Sequence, residues 1–165
     1  MKKFKTVIQS GVFLFLLSMI YVISPTNAQQ PSQKPAFDEA LAKRLGADEY
    51  GMKKYVIAFL KQGPDSNQNP AEAEKLQQAH LKNIMRMADE GTLILAGPFM
   101  DGGNLKGIYI FNVTTIEEAK KLTETDPAIK AGRLSMDLRP WYGSAALMEV
   151  MKIHKALEKK SVTEQ

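Results

Sequence analysis

Three segments of this chain are apolar at almost every position, and they limit the fold more than anything else in it. Lys54–Leu60 reads KYVIAFL, Thr92–Ala96 reads TLILA and Ile108–Val113 reads IYIFNV. Their β-branched and aromatic content marks them as strands. A sheet with one wet face alternates apolar and polar residues. Here Tyr55, Ile57 and Phe59 point one way and Val56, Ala58 and Leu60 the other. Leu93 and Leu95 oppose Ile94 and Ala96, and Ile108 and Ile110 oppose Tyr109 and Phe111. Both faces of this sheet must therefore be covered. A fourth strand is different: Leu134, Met136 and Leu138 alternate with Ser135, Asp137 and Arg139, and Pro140 is expected to end it.

Helices separate these strands. Asn69-Pro70 gives a cap and a first-turn proline, opening a helix that runs to Glu90, with Gly91 as its stop. Its apolar face is Ala73, Leu76, His80, Ile84 and Met87. Thr114-x-x-Glu117 reads as a capping box before a second helix at about Ile116–Thr125. Asp126-Pro127 starts a turn that reaches Gly132, and Gly97–Gly107 is a turn rich in glycine. The order β-α-β-β-α-β is the split, ferredoxin-like α+β arrangement: one antiparallel sheet with two helices on one face. Phe37, Leu41 and Leu45 add an N-terminal helix at Ala36–Leu45, and Leu147, Met151 and Leu157 a C-terminal one at about Ala145–Lys159.

Two helices cover one face. The expected cover for the other is a second copy of the sheet, related by twofold symmetry, because a soluble monomer rarely exposes so large an apolar patch. The rival cover is the C-terminal helix folding back in cis, and that helix could also cross to the partner.

The N-terminus reads as a secretory signal. Lys2, Lys3 and Lys5 precede an apolar run from Val7 to Ile23, Pro25 ends it, and Thr26-Asn27-Ala28 offers small residues for cleavage. The alternative is an uncleaved membrane anchor. The expected organisation is a signal over 1–28, a linker and short helix over 29–53, an α+β domain over 54–142 and a C-terminal helix and tail over 143–165. The product is exported, to a periplasm or the exterior, with no stable membrane span once the signal is cut. The net charge of +4 falls to about +1 without the signal's three lysines. With no basic stripe interleaved with aromatics, nucleic acid is not an expected partner. The chain has no cysteine, which excludes disulfides, thiolate nucleophiles and thiolate metal sites.

Candidate chemistry rests on few residues. His80 lies on the apolar helix face, as a half-buried side chain satisfied by one hydrogen bond or as a functional group. Asp126 is a turn former or the carboxylate that orients His80, since the topology lays the two helices side by side. Gly97, Pro98 and Phe99 form a ligand-facing rim or an ordinary strand-end turn. Arg133 and Arg139 are anion anchors or solubilising charges, and Trp141 lines a pocket or belongs to core or interface. One histidine and scattered carboxylates make no metal signature, and no cofactor is expected. His154 lies among lysines on the C-terminal helix and reads as a surface residue.

Together the pieces resemble the YCII-related (YciI-like) domain family. They are Tyr55–Ile57, Ala79-His80-Leu81, Asp89-Glu90-Gly91, Leu93–Pro98, Glu118-Ala119, Asp126-Pro127, Ala131-Gly132 and Arg139-Pro140-Trp141, in order over about Lys54–Trp141. The resemblance implies a dimeric α+β barrel and an active-site pair at His80 and Asp126. One branch of the family resembles a dehydrochlorinase acting on a chlorinated hydroxyquinol. The signal, the Phe37–Leu45 segment and the long C-terminal helix depart from the family pattern. Two functions fit: a cofactor-independent lyase or hydrolase of a small molecule, aromatic or not, and a non-catalytic small-ligand-binding or structural dimer.

Overall fold

Alternating contacts along each strand close a four-stranded antiparallel sheet in the order β2-β3-β1-β4 in the computed structural model, which describes residues 35–164. The expected signal (1–28) and most of the linker after it lie outside the described residues. The elements are α1 (Glu39–Leu45), β1 (Met52–Gln62), α2 (Pro70–Asp89), β2 (Leu93–Pro98), β3 (Leu105–Phe111), α3 (Ile116–Thr123), α4 (Pro127–Lys130), β4 (Leu134–Ser144) and α5 (Val150–Leu157). Short 3-10 turns occupy Ala145–Glu149 and Val162–Glu164. The fold is the ferredoxin-like α+β arrangement, with β1 in the sheet's interior pairing antiparallel with both β3 and β4. Among the described residues no helix is long and apolar enough to cross a membrane.

The helix side of the sheet holds the main core. Val56, Ala58 and Leu60 of β1 and Tyr109 and Phe111 of β3 pack with Leu93, Met87 of α2 and Ala119 of α3. Leu134, Met136 and Leu138 extend that core onto β4. On the other side Tyr55, Ile94 and Ile110 form a second cluster, and Leu147 and Met148 from the turn after β4 pack against it. The cis cover is therefore present, but it begins as a 3-10 turn and not as the single helix expected from Ala145. Ile57 and Leu95 beside it are partly buried, while Trp141 stays about a third exposed, at 37%.

Several local expectations need correction. Pro140 does not end β4, which continues to Ser144 with Pro140 opposite Val56. The strand lies at the sheet edge, where a residue without an N–H removes no ladder bond if that position faces solvent. The capping box sits one residue later than Thr114: the Thr115 hydroxyl accepts from the Glu118 N–H, and the Glu118 carboxylate accepts from the Thr115 N–H at 3.1 Å. The segment after Asp126 is a one-turn helix rather than a plain turn, and β3 begins at Leu105 inside the expected glycine-rich turn. Of the N-terminal stripe only Leu45 is buried, with Phe37 largely exposed.

Candidate functional site

The site is built where α2, β3 and α4 meet under the sheet. The α2 stripe needs an apolar-facing side chain one turn after Leu76, and His80 fills that position, 7% exposed. Asp126 is the N-cap of α4, fully buried, and its Oδ1 accepts the Ala128 N–H at 2.9 Å. That cap leaves Oδ2 aimed at α2, 2.6 Å from His80 Nδ1. The other ring nitrogen, Nε2, lies 3.2 Å from the Tyr109 hydroxyl of β3. The His80 and Tyr109 rings stack with centroids 6.1 Å apart, and Phe111 braces Tyr109 edge-on.

The donor inventory orders this chain of contacts. A carboxylate only accepts, so Nδ1 carries the proton that Asp126 holds. Burial, and then the nearby Asp126 charge, push the Tyr109 phenol above its ordinary value of 10.0. Tyr109 therefore keeps its proton at neutral pH, and its hydroxyl shares a hydrogen bond with Nε2 whose direction follows the protonation of the ring. The Nδ1–H held by Asp126 leaves Nε2 on the side away from the carboxylate.

His80 and Tyr109 both line a cavity of about 710 Å³. Leu60, Leu81, Ile84 and Leu134 supply apolar wall, and Gln62, Ser66 and Gln77 supply uncharged polar groups. Two cations, Lys106 and Arg133, complete the lining along with Gly97 and Pro98. Val162 closes one side from the C-terminal turn. Among the described residues no group of three His, Asp or Glu side chains gathers as metal ligands.

The structure brings His80, Asp126, Gly97, Pro98 and Arg133 to one place and leaves three other candidates elsewhere. Phe99 lies past the end of β2, where its N–H donates to Lys106 O, and its ring is not part of the cavity wall. Arg139 is opposite Ile57 and Trp141 opposite Tyr55, so both sit on the far side of the sheet. There Arg139 pairs with Asp137 at 3.0 Å and Trp141 packs on Tyr55 at 5.9 Å. The physical reason is strand alternation: Leu138 packs into the helix-side core, so its neighbours Arg139 and Asp137 must point away from it. His154 is half-exposed and pairs with Glu158 at 3.4 Å.

Tyr109 and Lys106 are the members that sequence reasoning misses. Tyr109 passes for an apolar strand residue, although a buried tyrosine hydroxyl needs a partner and so carries a signal. Arg133 is fixed by a close approach of two loops. Gly63 donates to Arg133 O at 2.8 Å, and a Cβ on Gly63 would fall 2.0 Å from Gly132 O. Gly132 itself has φ 68°, in the left-handed region that favours glycine.

No curated protein matches the chain. Among solved structures, one that is similar is the 5-chloro-2-hydroxyhydroquinone dehydrochlorinase of Burkholderia phenoliruptrix, in complex with 2,5-dihydroxybenzoquinone. It is 21% identical, with 54% of this chain and 93% of that one covered and a TM-score of 0.41. The family model described as the YCII-related domain matches residues 54–142, which takes in β2, β3, most of β1 and β4, and both halves of the His80–Asp126 pair. With more than half of its length so matched, this chain belongs to the YCII-related domain family.

Proposed function

We propose that this protein is a cofactor-independent acid–base enzyme, a lyase or hydrolase acting on a small molecule, aromatic or otherwise. The observation that carries this reading is the buried His80–Asp126 contact of 2.6 Å, set against a cavity that His80 and Tyr109 both line. Asp126 fixes Nδ1 as the donor and stabilises the imidazolium that forms when Nε2 takes a proton. The 3.2 Å contact with Tyr109 is long for an O–H donor, so an acidic substrate group can displace it. In a lyase, Nε2 removes a proton from the substrate and the electron pair left behind expels an anionic leaving group. The imidazolium then returns its proton to that group or to water. In a hydrolase, Nε2 deprotonates the attacking water instead. Tyr109, still protonated, serves as hydrogen-bond donor to charge developing on a substrate oxygen.

The same reading includes export and self-association. Lys2, Lys3 and Lys5, the apolar run to Ile23 and the Ala28 boundary support a cleaved signal. The partly covered Ile57 and Leu95 and the exposed part of Trp141 support a homodimer formed through the far face of the sheet.

The test is conversion, not binding. Mixtures of small phenols, hydroxylated rings, lactones and halogenated acids are incubated with the protein and followed by NMR. At least one compound is expected to be consumed, and His80→Gln to slow that conversion by about 10²–10⁴-fold. Compounds that bind the cavity without conversion would instead establish a ligand-binding protein. Conversion at an unchanged rate in His80→Gln would remove the base from the mechanism.

A further inference from the structure

We infer that the cavity recognises an anion: its ligand is a small organic acid, with the charged group seated between Lys106 and Arg133 and an apolar body along Leu60, Ile84 and Leu134. This rests on the same cavity as the acid–base reading but on different residues. The placement of Lys106 is the first ground. Along the β1–β3 ladder Leu60 faces Gly107 and Lys61 faces Leu105, so Lys106 is an extra residue in β3. In an unbroken ladder Lys106 would lie opposite Lys61 and share its side of the sheet. That side is the far one, where Lys61 pairs with Asp137 at 3.2 Å. The bulge turns Lys106 to the side of Leu60 and His80, where it lines the cavity.

Charge balance is the second ground. Lys106 and Arg133 are each half-buried, and neither has a carboxylate within ion-pair distance among the described residues. Lys106 Nζ donates to Gly103 O at 2.9 Å, and Arg133 Nη1 to Gln68 Oε1 at 3.1 Å. Each therefore keeps free donors with only neutral partners. Among the described residues no acidic side chain lines the cavity, and Asp126, behind His80, is spent on Nδ1 and Ala128. Two cations in a partly desolvated wall, neither in direct contact with a carboxylate among the described residues, attract an external anion, and Arg133 can engage a carboxylate through two parallel N–H donors. The apolar part of the wall excludes a bare inorganic ion as the best fit and favours an anion with a hydrocarbon body.

The probe pair is benzoate and benzamide, equal in shape and different in charge, titrated into the full chain and followed by ¹⁵N NMR. Benzoate is expected to bind at least tenfold tighter than benzamide, with shifts centred on Lys106 and Arg133, and to weaken as NaCl is raised. Lys106→Met and Arg133→Met should each lower benzoate affinity fivefold or more and leave benzamide unchanged. Far-UV circular dichroism checks that each variant folds, and the salt dependence of the unaltered protein decides the matter if one does not. Inorganic phosphate should bind more weakly than benzoate. Equal binding of the two probes, tighter binding of phosphate, no binding of either, or benzoate binding indifferent to both substitutions would each overturn the inference. Benzoate affinity is also measured in His80→Gln. Loss of benzoate there, with both cation variants unaffected, would move the anion onto His80 and leave the acid–base reading standing. Conversion indifferent to His80 alongside normal benzoate binding would do the reverse.

Discussion

Replacing Asp126 separates what its two oxygens do. In Asp126→Ala the Ala128 N–H loses its cap, worth about 1 kcal/mol. The Nδ1 proton of His80 also loses a charge-assisted hydrogen bond, worth about 1.5–3 kcal/mol, and is left buried without a partner. The expected loss is about 2.5–4 kcal/mol, a large share of a small domain's stability. Asp126→Asn keeps the shape and one acceptor. If its carbonyl stays on Ala128, its amide faces Nδ1 donor to donor, and the contact survives only when the imidazole proton moves to Nε2. The Tyr109 hydroxyl then accepts from Nε2 and turns its own proton toward the cavity. A charge-assisted bond becomes a neutral one, so Asp126→Asn should cost only about 1–1.5 kcal/mol. Urea unfolding followed by circular dichroism measures both losses. Long-range ¹H–¹⁵N spectra of His80 report the tautomer, Nδ1–H in the parent protein and Nε2–H in Asp126→Asn. An Asp126→Ala variant within about 1 kcal/mol of the parent, or an Asn variant that retains the Nδ1–H form, would refute the reasoning.

Two further outcomes follow from neighbouring residues. The Tyr109 phenol is raised in the folded state, so the unfolded chain loses that proton first: stability is fully present below pH 10.0 and falls as pH rises beyond it. Tyr55 is raised by burial as well, so the informative quantity is the difference between the parent and Tyr109→Phe, whose alkaline decline should be shallower by one proton; identical slopes would contradict the assignment. Gly63→Ala forces a Cβ against Gly132 O and should cost about 3 kcal/mol while displacing Arg133, seen as a lowered thermal midpoint and weakened benzoate binding together; a neutral effect on both would show that the two loops separate freely.

The order of elements was legible because it rests on period and punctuation: alternation in Leu134–Leu138 and the Asn69-Pro70 entry write themselves into the chain, while the threonine–glutamate cap was placed one residue early because Thr114-Thr115 and Glu117-Glu118 offer two registers. The approach of His80 to Asp126 was legible for a related reason, since helical spacing fixes the face of one and topology the position of the other. Tyr109 was not, because strand periodicity treats an aromatic ring as apolar and says nothing of where its hydroxyl ends. Lys106 was hidden more thoroughly: a bulge depends on how two strands pair, and no local pattern near Lys106 announces an extra residue. Arg139 and Trp141 were recoverable, because the alternation that puts Leu138 in the core already turns both away from it. The partial cover of the far face by Leu147 and Met148 depends on the direction the chain takes after Ser144, which composition does not specify.

Each edge of the sheet carries a proline, Pro98 at the end of β2 and Pro140 in the middle of β4. An open strand edge is a template on which another chain can polymerise, and an eleven-residue edge such as β4 is a long one. Pro140 takes one donor out of that row and fixes the backbone around it, so a foreign strand meets a gap instead of a continuous ladder. The molecule is thereby protected against runaway strand-to-strand growth. Any association it undergoes is steered away from its borders and onto its faces, where contact is limited in extent and closes on itself.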